Sequence, residues 1–383
     1  MKKLILSTLL LPIFALAACG STETDTKDSG ESSESANAEN SEKLQVYTTV
    51  YPLTYFTERI GGDLVEVQSV YPAGANEHTF EPTQQDMIAI AEADLMFYIG
   101  LGLEGFIDSA KHTLEGQDVE FAALADSITD EQLDAALMQD GVEAREEEDS
   151  HDDHDDEHED EHDSHDDEGD SHDEHGDEGD SHDEHGDEGD SHDEEGEHEE
   201  ENGHEGHDHG STDPHVWISP TLSQNLADSI KDSLITQDPD NTEVYETNHA
   251  ALIEELEQLE ISFSELHERV SKDTFFVSHA AFTYLSEPYG FEQVAVAGLN
   301  SQDEPSQKEL TEIVDLAREK NIEYIVFEQN VSSNLTEVVQ KEVGAEAVEM
   351  HNLGVLTQED IDNNETYFTL MEKNLEVLEK ILK

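Results

Sequence analysis

Residues 146–210 carry 36 Asp and Glu and 14 His, with no lysine, arginine or apolar side chain among them. A segment with nothing to bury cannot offset the entropy of ordering its backbone, and its like charges repel. It is expected to be disordered and to split the chain into two foldable parts. The decapeptide DSHDEHGDEG at 170–179 recurs at 180–189, but without an apolar position per repeat there is nothing for a solenoid to stack. The 383-residue chain has a formal net charge of −80; outside the tract 61 acids face 17 bases, which leaves −44. Such a balance repels nucleic acid and anionic membrane surfaces and argues against both as direct partners. A cation is the expected ligand.

The one cysteine, Cys19, rules out an internal disulfide or a multi-cysteine zinc site. Lys2-Lys3, the apolar run Leu4–Leu16 and Leu16-Ala17-Ala18-Cys19 resemble a signal peptide ending in a lipobox. The expected organisation is a signal over 1–18, then a lipidated Cys19 and a Ser/Thr/Asn-rich disordered tether to 43. Membrane attachment is expected through that lipid alone, on the outer face of a cell membrane or in a periplasm.

Two remaining segments, 44–145 and 211–383, are long enough for real cores. The first alternates strand-like Leu44–Val50, Val65–Tyr71, Leu95–Ile99 and Val119–Ala122 with helical spacing at Leu53–Ile60, Thr83–Ala93 and Glu104–Leu114. The second has strand-like Thr274–Ser278, Gln293–Ala297, Tyr324–Glu328 and Glu346–Met350. Helical spacing in it falls at Ser306–Lys320, Ser333–Val343 and Glu359–Leu382. This predicts an α/β fold of two lobes, each a parallel sheet flanked by helices. Thr242–Val270 lacks Gly and Pro and has apolar residues every three or four positions, which predicts a stiff linking helix roughly 43 Å long at 1.5 Å per residue. The lobes are then 44–145, completed by 211–240, and 272–383, joined through 241–271.

Three histidines stand outside the tract in unusual settings. His78 follows a predicted strand in Asn76-Glu77-His78-Thr79-Phe80-Glu81-Pro82, His215 sits between two prolines in DPHVWISP at 213–220, and His279 ends an apolar strand. Ligands of open α/β sheets gather at the carboxyl ends of strands, and three neutral imidazoles suit Zn²⁺. His112, His249 and His267 lie on helix-like stretches and are expected to be solvated.

Glu77–Thr83, Asp94–Phe106 (DLMFYIGLGLEGF), DPHVWISP and Glu304-Pro305-Ser306 together resemble the zinc-specific branch of the cluster A-I substrate-binding proteins of bacterial metal-uptake ABC transporters. The resemblance runs from about Leu44 to the C-terminus and includes a His- and acid-rich insert. It implies a monomeric extracytoplasmic protein that captures Zn²⁺ between its lobes and passes it to an ABC permease, with His78, His215 and His279 as ligands. For the fourth position the family's last-strand exit loop reads His351-Asn352-Leu353-Gly354 here, with no acid. That leaves Glu77 as the favoured ligand, beside water, Glu328 and His351.

A dense carboxylate field favours the imidazolium form, so the tract is expected to hold divalent metal weakly, in many sites, and to gather zinc near the tight site. Two other functions fit parts of the pattern: a surface adhesin or passive metal store, and a zinc hydrolase using three histidines and water. Outside the acidic tract the sequence has no HExxH motif, and it has no GxxxxGK[ST] loop, so neither that protease chemistry nor ATP hydrolysis is expected of it.

Overall fold

A computed structural model describes residues 43–137, 212–331 and 334–383. Cys19, the tether and the acidic tract lie outside the described residues.

In chain order the first lobe comprises β1 (Leu44–Thr48), α1 (Tyr51–Gly61), β2 (Val65–Ser69), α2 (Gln84–Ala91), β3 (Leu95–Tyr98), α3 (Ile107–Thr113), β4 (Glu120–Ala123) and α4 (Asp130–Ala135). Two long helices follow, α5 (Pro220–Gln237) and α6 (Thr242–Ser264). The second lobe comprises β5 (Thr274–His279), α7 (Thr283–Ser286), β6 (Glu292–Ala297), α8 (Gln307–Glu319), β7 (Tyr324–Glu328), α9 (Asn334–Val343), β8 (Glu346–Met350), α10 (Gln358–Asn363) and α11 (Tyr367–Ile381).

Both sheets are wholly parallel, in the orders β2-β1-β3-β4 and β6-β5-β7-β8. The two lobes therefore repeat one topology. In each, the chain leaves the first strand to one side and returns on the other, so the order switches between β1 and β3 and between β5 and β7, where a crevice opens at the carboxyl ends. The central strands β3 and β5 are buried along their whole length, which is why their sequences read as unbroken runs rather than alternating ones.

Helix starts are written in the sequence. Thr83 caps α2 and Ser306 caps α8, each in a reciprocal box with the acid three residues on. Ser219 accepts the Leu222 N–H at the start of α5, with Pro220 in its first turn. DPHVWISP is thus a helix entry through a short 3₁₀ turn at Val216–Ile218.

One continuous core joins the lobes, running from Val46 and Phe56 through Trp217, Leu226 and Leu256 to Leu353 and Tyr367. A smaller cluster, with Phe276, Val296, Val314 and Val339, fills the space beneath α8 and α9. No helix among the described residues is long and apolar enough to cross a membrane.

The structure corrects three expectations. The linking helix stops at Ser264 instead of Val270, a length of about 35 Å at 1.5 Å per residue. Ser262 and Ser264 there turn their hydroxyls back onto the carbonyls of Gln258 and Glu260, and Leu266 closes a turn onto Phe263 that carries it into the core. The terminal helix predicted over Glu359–Leu382 is two, α10 and α11. Asn364 adopts φ 57 between them, a left-handed conformation that asparagine tolerates, and Thr366 caps a new start. The third is α5 itself, which the sequence reading omitted although Leu222, Leu226, Ile230 and Leu234 form a regular four-residue ladder along its buried side.

Candidate metal centre

His78, His215 and His279 come together. Each offers a ring nitrogen, and the three nitrogens lie within 4.8 Å of one another, the metal-competent group found among the described residues. Nε2 of His78 and Nε2 of His215 are 3.3 Å apart. In a tetrahedral zinc site with bonds of roughly 2.0–2.1 Å, adjacent ligand nitrogens are separated by about that distance.

Each histidine is fixed by a different device. His78 rides a loop after β2 in which Asn76 Oδ1 accepts the His78 N–H at 3.0 Å, an Asx turn that orients the imidazole. The Asn76 amide donates across the lobe boundary to Ser301 Oγ at 3.1 Å. His215 is held by Asp213, whose Oδ1 lies 2.9 Å from the His215 amide and 2.7 Å from Nδ1. The Trp217 ring packs edge-on against the His215 imidazole. His279 closes β5, and its N–H donates to Glu328 Oε1 at 3.0 Å. Glu328 Oε2 lies 2.7 Å from Nδ1, somewhat off the N–H direction, while Nε2 is buried with no partner in the protein. In both His215 and His279 a carboxylate takes Nδ1 and leaves Nε2 for the centre, an arrangement typical of metal-ligating histidines.

The electrostatics favour a cation. Burial and the neighbouring His215 and His279 push the His78 imidazole down to about 3, so it is neutral. Burial opposes charge on His279, but Glu328 outweighs it and leaves this imidazole raised; Glu328 is held below the usual carboxylate range by the same pair despite its burial. Burial also works against Asp213, and His215 overcomes it to a net lowering. Glu77 goes the other way: burial pushes it up, with its own N–H, His279 and His215 only partly offsetting. A divalent ion among these groups would reverse the balance in favour of anionic carboxylates and neutral rings.

Among the candidate fourth ligands, Glu77 is buried beside the centre but its oxygens stand outside the group of mutually close ligand atoms. Its Oε1 accepts from Asn352 Nδ2 at 2.9 Å. Glu328 faces the Nδ1 side of His279. His351 has both ring nitrogens engaged: Nδ1 accepts from Leu353 N–H at 2.8 Å and from Gln329 Nε2 at 2.8 Å, and Nε2 faces Asp360 at 3.2 Å. Of the three control histidines, His112 and His267 are exposed. His249 is not, lying 3.2 Å from Asp228 with 13% of its side chain exposed.

Sequence reasoning missed Asp213, Asn352 and Trp217. Asp213 was legible as the acid two residues before a ligand-like histidine. Asn352 was noticed only for the acid it is not, and its contacts come from three distant segments. The Asp94–Phe106 motif acts locally: Glu104 accepts from Thr49 Oγ1 and from the N–H groups of Ile99 and Gly100, tying down a loop in which Gly100, Leu101 and Gly102 all have positive φ.

Two parallel-sheet lobes of matching strand order, a shared core, and three histidines converging where the lobes meet define a two-lobed binding protein. The chain belongs to the family described as zinc-uptake complex component A periplasmic, ZnuA, which it matches over residues 46–381. It is similar to the high-affinity zinc uptake system protein ZnuA of Bacillus subtilis (strain 168), at 30% identity across 96% of this chain and 93% of that one. The zinc-binding lipoprotein AdcA of Streptococcus pneumoniae (strain ATCC BAA-255 / R6) is 31% identical across 88% of this chain, which spans only 56% of AdcA. Among solved structures, the Zn(II)-bound ZnuA-like domain of S. pneumoniae AdcA matches with TM-score 0.59 and 27% identity over 89% of this chain and 99% of that one. The laminin-binding protein Lbp of Streptococcus pyogenes matches with TM-score 0.62 and 25% identity over 89% and 100%.

Proposed function

We propose that this chain is an extracytoplasmic zinc-binding protein, anchored to a membrane by a lipid on Cys19, that captures Zn²⁺ between its lobes and delivers it as a monomer to an ABC permease. His78, His215 and His279 are the ligands, and Glu77 is a buried carboxylate beside them. The observation that carries the reading is the convergence of three imidazole nitrogens from three separate segments, with Nε2 of His78 and of His215 at the spacing of zinc-bound nitrogens. Imidazole at all three positions favours zinc over harder ions. The names of the B. subtilis and S. pneumoniae relatives support the same cargo and transport role.

The site serves capture better than catalysis. Three of the carboxyl groups nearest the histidines, Asp213, Glu328 and Glu77, are already engaged by His215, His279 and Asn352, so none of them is free to act as general base on a metal-bound water. The likeness to a laminin-binding protein favours one second reading, surface adhesion. Growth in zinc-limited medium separates the two: replacing His279 by Ala abolishes rescue if zinc delivery is the function and leaves adhesion intact. The division into 44–145 with 211–240, a linker at 241–271 and 272–383 is proposed on the repeated sheet topology.

A further inference from the structure

We infer that Asn352 is a positioning residue that holds Glu77 away from the metal and leaves the fourth coordination site to water. The inference deepens the three-histidine reading and rests on it.

Asn352 is 2% exposed, and its carbonyl and both polar atoms of its side chain are engaged. Its carbonyl accepts the Trp217 indole N–H at 2.8 Å. Its Oδ1 accepts from Gln329 Nε2 at 2.9 Å and from Gly354 N–H at 3.0 Å. Two donors on one side fix which end of the amide is oxygen and turn Nδ2 toward the carboxylates. There it meets Glu77 Oε1, from the first lobe, at 2.9 Å and Glu328 Oε2, from the second, at 3.4 Å. One amide thus stands between two buried carboxylates that would otherwise face each other.

The chain has also made room for Glu77 in this position. A Cβ on Gly354 would stand 2.6 Å from Glu77 Oε1 and 2.7 Å from its Cδ, so the carboxylate lies where any larger residue would put its side chain. Asn352 and Gly354 form a slot, and Glu77 occupies it beside the centre and not in it. Three protein ligands with one water make an exchangeable site, whereas a fourth protein ligand would close it. A protein that must release its ion is served by the open form.

The test uses the full-length protein loaded with one equivalent of Co²⁺ and titrated with azide, followed by cobalt absorption, because azide binds where a water can leave. The parent and Glu77→Gln are expected to respond alike. Asn352→Leu and, independently, Gly354→Ala are expected to lose the response as Glu77 moves onto the metal, and adding Glu77→Gln to either is expected to restore it. A parent that ignores azide while Glu77→Gln responds would overturn the inference, as would an Asn352→Leu or Gly354→Ala protein that keeps the parent response. Cobalt uptake unaffected by His215→Ala would overturn the three-histidine reading beneath it, an outcome distinct from either.

Discussion

Glu328 Oε2 lies 2.7 Å from His279 Nδ1, and neither side chain exposes any surface. The carboxylate also takes the Ser278 hydroxyl at 2.6 Å and the His279 N–H, so it binds both the backbone and the ring of the residue it positions. Its role is to keep the proton on Nδ1 and the lone pair on Nε2. Replacing Glu328 by Gln should weaken zinc binding by roughly 10–100-fold, the usual effect of losing such a partner. Competition with a chelator of known affinity measures it.

Two histidines of the centre give the zinc-free protein opposed pH dependences. His78 in the fold is pushed down to about 3 from its ordinary 6.5. Between those values the unfolded chain binds a proton that the native state does not, so stability is complete above 6.5 and lost as pH falls. His279 is raised, so its contribution is complete below 6.5 and lost as pH rises through its folded value. Thermal unfolding of the zinc-free protein from pH 4.5 to 9 should show a maximum between the two losses. His78→Gln flattens the acid side and Glu328→Gln the alkaline side.

Trp217 is the only tryptophan; it is fully buried, with its ring centroid 5.3 Å from that of His215. Zinc should therefore change its fluorescence with one-to-one stoichiometry, and His279→Ala should abolish the change. Trp217→Phe removes the indole bond to the Asn352 carbonyl and should cost about 1–3 kcal/mol in urea unfolding, the penalty of leaving that buried acceptor unpaired.

Deleting residues 146–210 should remove a population of weak zinc sites and keep one tight site. Calorimetric titration of both forms checks this, and weak sites that persist unchanged would remove the metal-gathering role from the tract.

Much of the architecture was legible because parallel strands buried on both faces leave unbroken apolar runs, and Thr274–His279 and Tyr324–Glu328 emerged within a residue of their expected bounds. The three histidines were legible for a related reason: each stands next to a prolines-and-acid loop or a strand end, where side chains are free to meet. Two kinds of feature were not legible. Helix ends such as Ser264 and Asn364 depend on single hydroxyl and left-handed residues that leave the apolar period undisturbed. The Asn352 network joins Glu77, Trp217, Glu328 and Gln329 across as many as 275 residues, and no local spacing encodes a contact of that range.

Metal analysis of the purified protein after dialysis against a weak chelator bears most directly on the whole reading. One zinc per chain should survive in the parent and none in the His78→Ala, His215→Ala, His279→Ala triple variant. One zinc per chain retained by the triple variant would contradict the three-histidine centre.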